Sequence, residues 1–134
     1  MNEYIQSLVD AKKLDISLQP DRWKFDDNPY IISGPCSVES EEMIVDWAHK
    51  MKDVGVNALR GGAYKPCTYP ITEEVGSNGW KEGLREDGLR YLRIASVETG
   101  LPIVSEIMDS NQINELTMDC IDIVQVGTRN FQNY

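Results

Sequence analysis

Cys36, Arg60, Lys65, Glu106 and Arg129 are the residues of this sequence whose types could do chemistry together. Arg60, Lys65 and Arg129 are three positive charges. A guanidinium fork binds phosphate or carboxylate bidentately, and a lysine adds a point charge. Gly61 and Gly62, beside Arg60, let the backbone approach a ligand closely. An anion carrying both a phosphate and a carboxylate would suit such a set. Cys36, as a thiolate, could bind a transition metal or act as a nucleophile. Glu106 could accept a proton, hold a water or contact the metal.

Each of these residues has a plainer reading when taken alone. An arginine at a strand end is usually a surface ion pair, and a lone cysteine is usually a small buried hydrophobe. A lone glutamate is more often structural. What shifts the balance is that the three cations fall at the same ends of different strands. Cys67 and Cys120 keep the plainer reading. His49, the only histidine, lies off the apolar stripe of its segment and is expected to be exposed. With one histidine, neither a Ser-His-Asp triad nor a multi-histidine metal site is expected within this chain. Gly76-Ser77-Asn78-Gly79 lacks the Gly-Lys-Ser/Thr ending of a phosphate-binding P-loop.

The elements that must position these residues follow from the apolar spacing. Residues 2–13 read as a short amphipathic helix and residues 15–28 as a connection or an extra strand. Residues 29–33 form an apolar run stopped by Gly34-Pro35, which predicts a strand. Residues 40–54 carry Ile44, Trp47, Ala48 and Met51 at helical spacing, with Glu41 and Glu42 in the first turn and Gly55 beyond the end. Residues 57–60 predict a second strand, followed by a loop from about 63 to 81. Residues 83–99 predict a helix with Leu84, Tyr91, Leu92 and Ala95 on one face, ended by Gly100. Residues 101–107 predict a third strand, 111–118 a short helix behind Ser110, and 121–126 a fourth strand ended by Gly127. Alternating strands and helices imply parallel strands and an α/β fold, either part of a barrel or an open doubly wound sheet. Ligands in such folds bind at the C-terminal ends of the strands. That is where Cys36, Arg60, Glu106 and Arg129 fall.

Composition narrows the partners. The 134 residues carry 22 acidic and 13 basic side chains, a net charge of −9. A chain this acidic is not expected to bind nucleic acid or an anionic membrane surface. No apolar run approaches the ~20 residues of a membrane-spanning helix. The first residues do not read as a signal peptide. Three widely spaced cysteines with no C-x-x-C pair argue against a disulfide framework and for a cytoplasmic setting.

Three motifs occur in one order: Gly34-Pro35-Cys36-Ser37-Val38-Glu39-Ser40, then Arg60-Gly61-Gly62-Ala63-Tyr64-Lys65-Pro66, then Gly127-Thr128-Arg129-Asn130-Phe131-Gln132-Asn133. With the stretch Glu98-Thr99-Gly100-Leu101-Pro102-Ile103-Val104-Ser105-Glu106-Ile107-Met108-Asp109, they resemble the type I 3-deoxy-D-arabino-heptulosonate 7-phosphate (DAHP) synthases, in particular the compact β subgroup. The resemblance runs from about residue 29 to 134. It implies a (β/α)8 TIM barrel of which this chain is about the first half, with residues 1–28 as a preceding helix and connection. It implies a 3-deoxy-7-phosphoheptulonate synthase, a transferase condensing phosphoenolpyruvate with erythrose 4-phosphate at the start of the shikimate route to aromatic amino acids. The implied cofactor is a divalent metal ion (Mn, Fe, Zn or Co) that polarises the aldehyde. Carried over by position, Cys36 matches a metal ligand. Arg60, Lys65 and Arg129 match phosphoenolpyruvate-binding residues, and Thr68 matches a sugar-phosphate contact. Lys65 and Glu106 match residues of the catalytic site.

Two departures qualify the expectation. Cys67 stands where the family's Lys-Pro-Arg motif has arginine, and a neutral thiol does not replace a guanidinium on phosphate. The family's later strands supply another lysine and further metal ligands, so the metal is not expected to be held fully by this chain. The expected partner is therefore a complementing second half or another copy of the chain. Two alternatives stand beside this reading. One is an inactive, truncated half-barrel remnant or self-associating protein. The other is the related 3-deoxy-D-manno-octulosonate 8-phosphate synthase chemistry, which shares phosphoenolpyruvate but uses another phosphorylated aldose.

Overall fold

The computed structural model describes residues 29–64, 83–130 and 132. The helix expected over 2–13, the connection over 15–28 and most of the loop expected over 63–81 lie outside the described residues. Within them, strands β1 (Ile32–Ser33), β2 (Ala58–Arg60), β3 (Ile103–Ile107) and β4 (Ile123–Val126) alternate with helices α1 (Glu41–Asp53), α2 (Glu86–Thr99) and α3 (Glu115–Cys120). All three strand pairings are parallel. The sheet order is β1-β2-β3-β4, the order of the sequence. A doubly wound sheet reverses its order at a switch point. The sequential winding observed here belongs to a barrel, and it decides between the two architectures that periodicity left open.

The pairing register separates the two faces of the sheet. Cα partners across a parallel ladder point the same way. Leu59 pairs with Ile103, and Ser105 with Val124, on one face. Arg60 pairs with Val104, and Glu106 with Gln125, on the other. The first face is the one the helices cover. Leu59 and Ile103 share a buried cluster with Ile44 and Ala48 of α1 and with Leu89, Leu92 and Ala95 of α2. Fully burying a side chain of the Leu or Ile class is worth about 1.5–3 kcal/mol. This cluster therefore holds the strands at the depth where their C-terminal ends align. Every residue of β3 is buried, as expected for a central parallel strand. On β4 the helix-side residues Val124 and Val126 are exposed, and no described helix lies over them.

Local chemistry sets the element ends. Ser40 caps α1 by accepting a hydrogen bond from the Met43 amide (3.1 Å), and Gly55 follows at φ 82°. Gly100 ends α2 in the left-handed conformation, its N–H donating to Ser96 O (2.7 Å). Strand β1 is shorter than the run 29–33. The Ile31 amide donates to Asn57 Oδ1 (2.7 Å) before the ladder begins.

Three other expectations are corrected. The helix predicted over 111–118 is split. Asp109 caps a 3-10 turn at Ser110–Gln112, then Asn114 accepts from the Thr117 amide (3.0 Å) and starts α3. Trp47, placed on the buried stripe of α1 by spacing, is exposed, whereas Ile44 and Ala48 of that stripe are buried. The start of α2 moves from Gly83 to Glu86, because Arg85 takes φ 53°, ψ −122°.

Arg85 is the only non-glycine residue with positive φ among those described. Its amide donates to Ala63 O (2.8 Å), and two residues earlier a Cβ on Gly83 would lie 2.7 Å from Gly62 O. The close approach of 83–85 to 62–63 forces this backbone on Arg85. Strain of this kind costs about 1–3 kcal/mol. Glycine would relieve it while losing some chain entropy. Arg85→Gly is therefore expected to stabilise the fold by about 1 kcal/mol, read as a higher midpoint in urea unfolding. A lowered midpoint would mean that the contacts of the Arg85 side chain outweigh the strain.

Candidate functional site at the strand ends

Arg60 is the last residue of β2 and points to the face opposite the helices. Its guanidinium reaches groups from every neighbouring strand. Nε donates to Gln125 Oε1 on β4 (3.4 Å). Nη1 donates to the Pro35 and Cys36 carbonyls beyond β1 (3.4 and 3.1 Å). Nη2 faces Glu106 Oε2 on β3 at 3.7 Å, an ion pair rather than a hydrogen bond. Among the described residues Nη2 makes no hydrogen bond. The side chain is 22% exposed, enough for an anion to reach it.

Glu106 is buried, its side chain 10% exposed. Its Oε1 has no hydrogen-bond partner among the described residues. Buried polar atoms are nearly always paired, and exceptions concentrate where a ligand or water completes the pairing. The carboxylate lies directly against Gly127, where a Cβ would overlap Oε1 and sit 2.6 Å from Cδ. Only a glycine after β4 permits this seat.

The loops at these strand ends are tied to one another. Asn130 Nδ2 donates to Met108 O (3.0 Å), fastening the segment after β4 to the one after β3. The Val38 amide donates to Gly62 O (3.0 Å), fastening the segment after β1 to the one after β2. Tyr64 is half-buried at the edge of the core. Burial, reinforced by Glu86 and partly offset by Arg85, pushes its phenol above the usual range, so it stays a neutral donor at neutral pH.

The structure thus brings Arg60 and Glu106 together and adds Gln125, the register partner of Glu106, which accepts from Arg60. Cys36 lies in the bend after β1, exposed, and its carbonyl accepts from Arg60. Arg129 belongs to the 3-10 turn Thr128–Asn130 after β4. Lys65, Thr68 and Cys67 lie outside the described residues. Cys120 is buried, and burial pushes its thiol up, which fits an inert core cysteine. His49 is exposed and lies 3.1 Å from Glu98, away from the strand ends. Gln125, Gly127 and Ser105 were missed as site-forming residues by sequence reasoning. Register parity could have placed Gln125 beside Glu106; Gly127 was read as a strand end and the start of a motif, but its contact with Glu106 has no local signal.

A metal centre needs several donors that converge on one point. Among the described residues no group of three or more His, Cys, Asp or Glu side chains converges. Cys36 is a single donor, and a catalytic metal normally has about three protein ligands. The described residues do not fit a complete metal centre. Among them no helix is long and apolar enough to cross a membrane.

Comparison with known proteins gives a consistent set of likenesses. The family model described as DAHP synthetase I matches residues 13–134. Phospho-2-dehydro-3-deoxyheptonate aldolase of Thermotoga maritima is 42% identical over 104 residues, covering 78% of this chain and 28% of the relative. 2-Dehydro-3-deoxyphosphooctonate aldolase of Syntrophotalea carbinolica is 31% identical over 96 residues, 72% of this chain and 34% of the relative. The crystal structure of the Thermotoga maritima phospho-2-dehydro-3-deoxyheptonate aldolase (DAHP synthase) matches with a TM-score of 0.64 at 41% identity. It shares 78% of this chain and 28% of its own. A truncated form of 3-deoxy-D-arabino-heptulosonate 7-phosphate synthase from the same organism gives 0.60 at 39% identity. The chain spans about a third or less of the length of these relatives.

Proposed function

Because the chain belongs to the DAHP synthetase I family, we propose that residues 29–134 form the first part of a DAHP synthase barrel and supply most of its phosphoenolpyruvate cradle. In this reading the whole barrel condenses phosphoenolpyruvate with erythrose 4-phosphate in the cytoplasm. The observation that carries it is Arg60. Its guanidinium is held by Gln125, Pro35 and Cys36, while Nη2, which makes no hydrogen bond among the described residues, is left for an incoming anion. A donor held in place before binding loses little entropy on forming a charge-assisted bond. Lys65 and Arg129 would complete the positive set, and Thr68 would meet the sugar phosphate. Glu106, whose buried Oε1 is unpaired among the described residues, would accept a proton or a hydrogen bond from a substrate or water that reaches the carboxylate.

Cys36 would contribute one thiolate to a divalent metal whose other ligands come from elsewhere in the assembled barrel. The 42% identity to the heptonate enzyme against 31% to the octonate enzyme favours erythrose 4-phosphate as the aldehyde. The test combines this chain with a C-terminal portion of the Thermotoga maritima relative, both substrates and a divalent metal. The expected result is 3-deoxy-D-arabino-heptulosonate 7-phosphate, detected by mass spectrometry. A folded mixture that binds phosphoenolpyruvate but forms no product would reject the proposed reaction. Absence of phosphoenolpyruvate binding would reject the cradle itself.

A further inference from the structure

Ser105 sits in the middle of β3, fully buried, on the face away from Arg60 and Glu106. It cannot touch a ligand held by that pair. Its hydroxyl nevertheless makes two bonds to the segment that leaves Arg60. Oγ donates to Gly61 O (2.7 Å) and accepts from the Ala63 amide (3.3 Å). Strand β2 ends at Arg60, whereas β3 continues to Ile107. The backbone ladder reaches only as far as the Gly61 amide, which donates to Val104 O (3.1 Å). Beyond that point the chain turns away while Gly61, Gly62 and Ala63 are all still buried. Buried backbone groups must find partners, and here the Ser105 side chain takes the place of the missing strand pairing.

The rest of the segment is pinned from other directions. The Val38 amide holds Gly62 O, and the Arg85 amide holds Ala63 O. Gly61 has no room to move. A Cβ there would lie 2.8 Å from Leu92 Cδ2 and 3.1 Å from Val38 Cγ2. Ser105 is the one side-chain hydroxyl in this set, and it binds on both sides of Gly62. We infer that Ser105 is a positioning residue: by fixing residues 61–63 from behind the sheet, it sets the height and direction of the Arg60 guanidinium on the front.

Ser96 is the natural comparison. It too is buried, and its Oγ donates to Leu101 O (2.8 Å), but at the other end of β3. Ser105→Ala and Ser96→Ala each remove a buried serine hydroxyl. Only the first should reach Arg60. The experiment records the Arg60 Nε–H signal by nitrogen–proton NMR in the 134-residue chain and in each variant. The expected result is a shifted and broadened signal in Ser105→Ala and an unchanged one in Ser96→Ala. Ser105→Thr, which keeps the hydroxyl, should restore it. If Ser105→Ala does not fold, Ser105→Cys is read in the same way.

A second arm rests on the cradle reading. Phosphoenolpyruvate titrated by calorimetry should bind Ser105→Ala about ten-fold more weakly than the unaltered chain, and Ser96→Ala within about two-fold, as misplacement of a binding group predicts. An Arg60 signal equally unmoved in Ser105→Ala and Ser96→Ala overturns the inference. A signal moved only in Ser105→Ala, with no phosphoenolpyruvate bound by any form, supports the positioning role and rejects the cradle.

Discussion

Replacing Arg60 with methionine is expected to lower the unfolding free energy by about 2–3 kcal/mol. Methionine keeps the apolar stem and removes the fork. The Pro35 and Cys36 carbonyls lose a donor, Gln125 loses its partner, and Glu106 is left buried without its counter-ion. Stranding a buried charge costs more than the pair contributed, which is why the effect should exceed that of a surface ion pair. The value lies below the range for fully buried pairs because the guanidinium is partly exposed and its contact to Glu106 is 3.7 Å. The double variant Arg60→Met with Glu106→Gln removes the stranded charge. It should lose about 1 kcal/mol less than the two single losses added together. Urea unfolding of the four proteins measures this coupling, and strict additivity would show that the two side chains do not interact. Arg60→Met should also abolish any phosphoenolpyruvate binding by the chain.

Gly34→Ala is the second large effect, expected to cost about 3 kcal/mol. A Cβ at position 34 would overlap Arg60 O and lie 3.0 Å from Arg60 C. Its backbone also has φ 155°, where L side chains are rare. The obstacle is main chain inside a ladder, so it has nowhere to go. Gly127→Ala offers an instructive contrast. There the overlap is with the Glu106 carboxylate, the free end of a side chain that can rotate away. Gly127→Ala is therefore expected to cost about 1–2 kcal/mol while removing Glu106 from Arg60. Thermal unfolding should rank Gly34→Ala well below Gly127→Ala. The reverse order would show that the carboxylate seat is the stiffer of the two.

How much of this was legible beforehand depended on the range of the interaction. The strand and helix order came through because apolar spacing and Gly or Ser caps are local signals, as at Ser40, Gly55 and Gly100. Arg60 and Glu106 were placed correctly at strand ends because parallel topology alone brings those ends together. Interactions between distant residues left no local trace. Gln125 meets Arg60 across 65 positions, and Ser105 meets Gly61 across 44. Trp47 fits the helical stripe by spacing, but burial depends on what stands opposite, and among the described residues it stays exposed. The split before α3 turned on whether Ser110 or Asn114 would cap the helix, two residues with nearly equal capping power. The expectations for Lys65, Thr68 and the first 28 residues fall outside the described residues.

The reach of one guanidinium across all four strands has a thermodynamic consequence. Contacts to Pro35, Cys36, Glu106 and Gln125 exist only when β1 and β3 flank β2 in register and β4 lies beside β3. An anion that docks on Arg60 therefore recognises the assembled sheet and has no counterpart in the unfolded chain. Binding and folding are then linked by mass action, and a ligand at a hundred times its dissociation constant adds about 2.7 kcal/mol to stability. The melting temperature becomes a titration coordinate: its rise with ligand concentration measures affinity for the strand ends without any turnover.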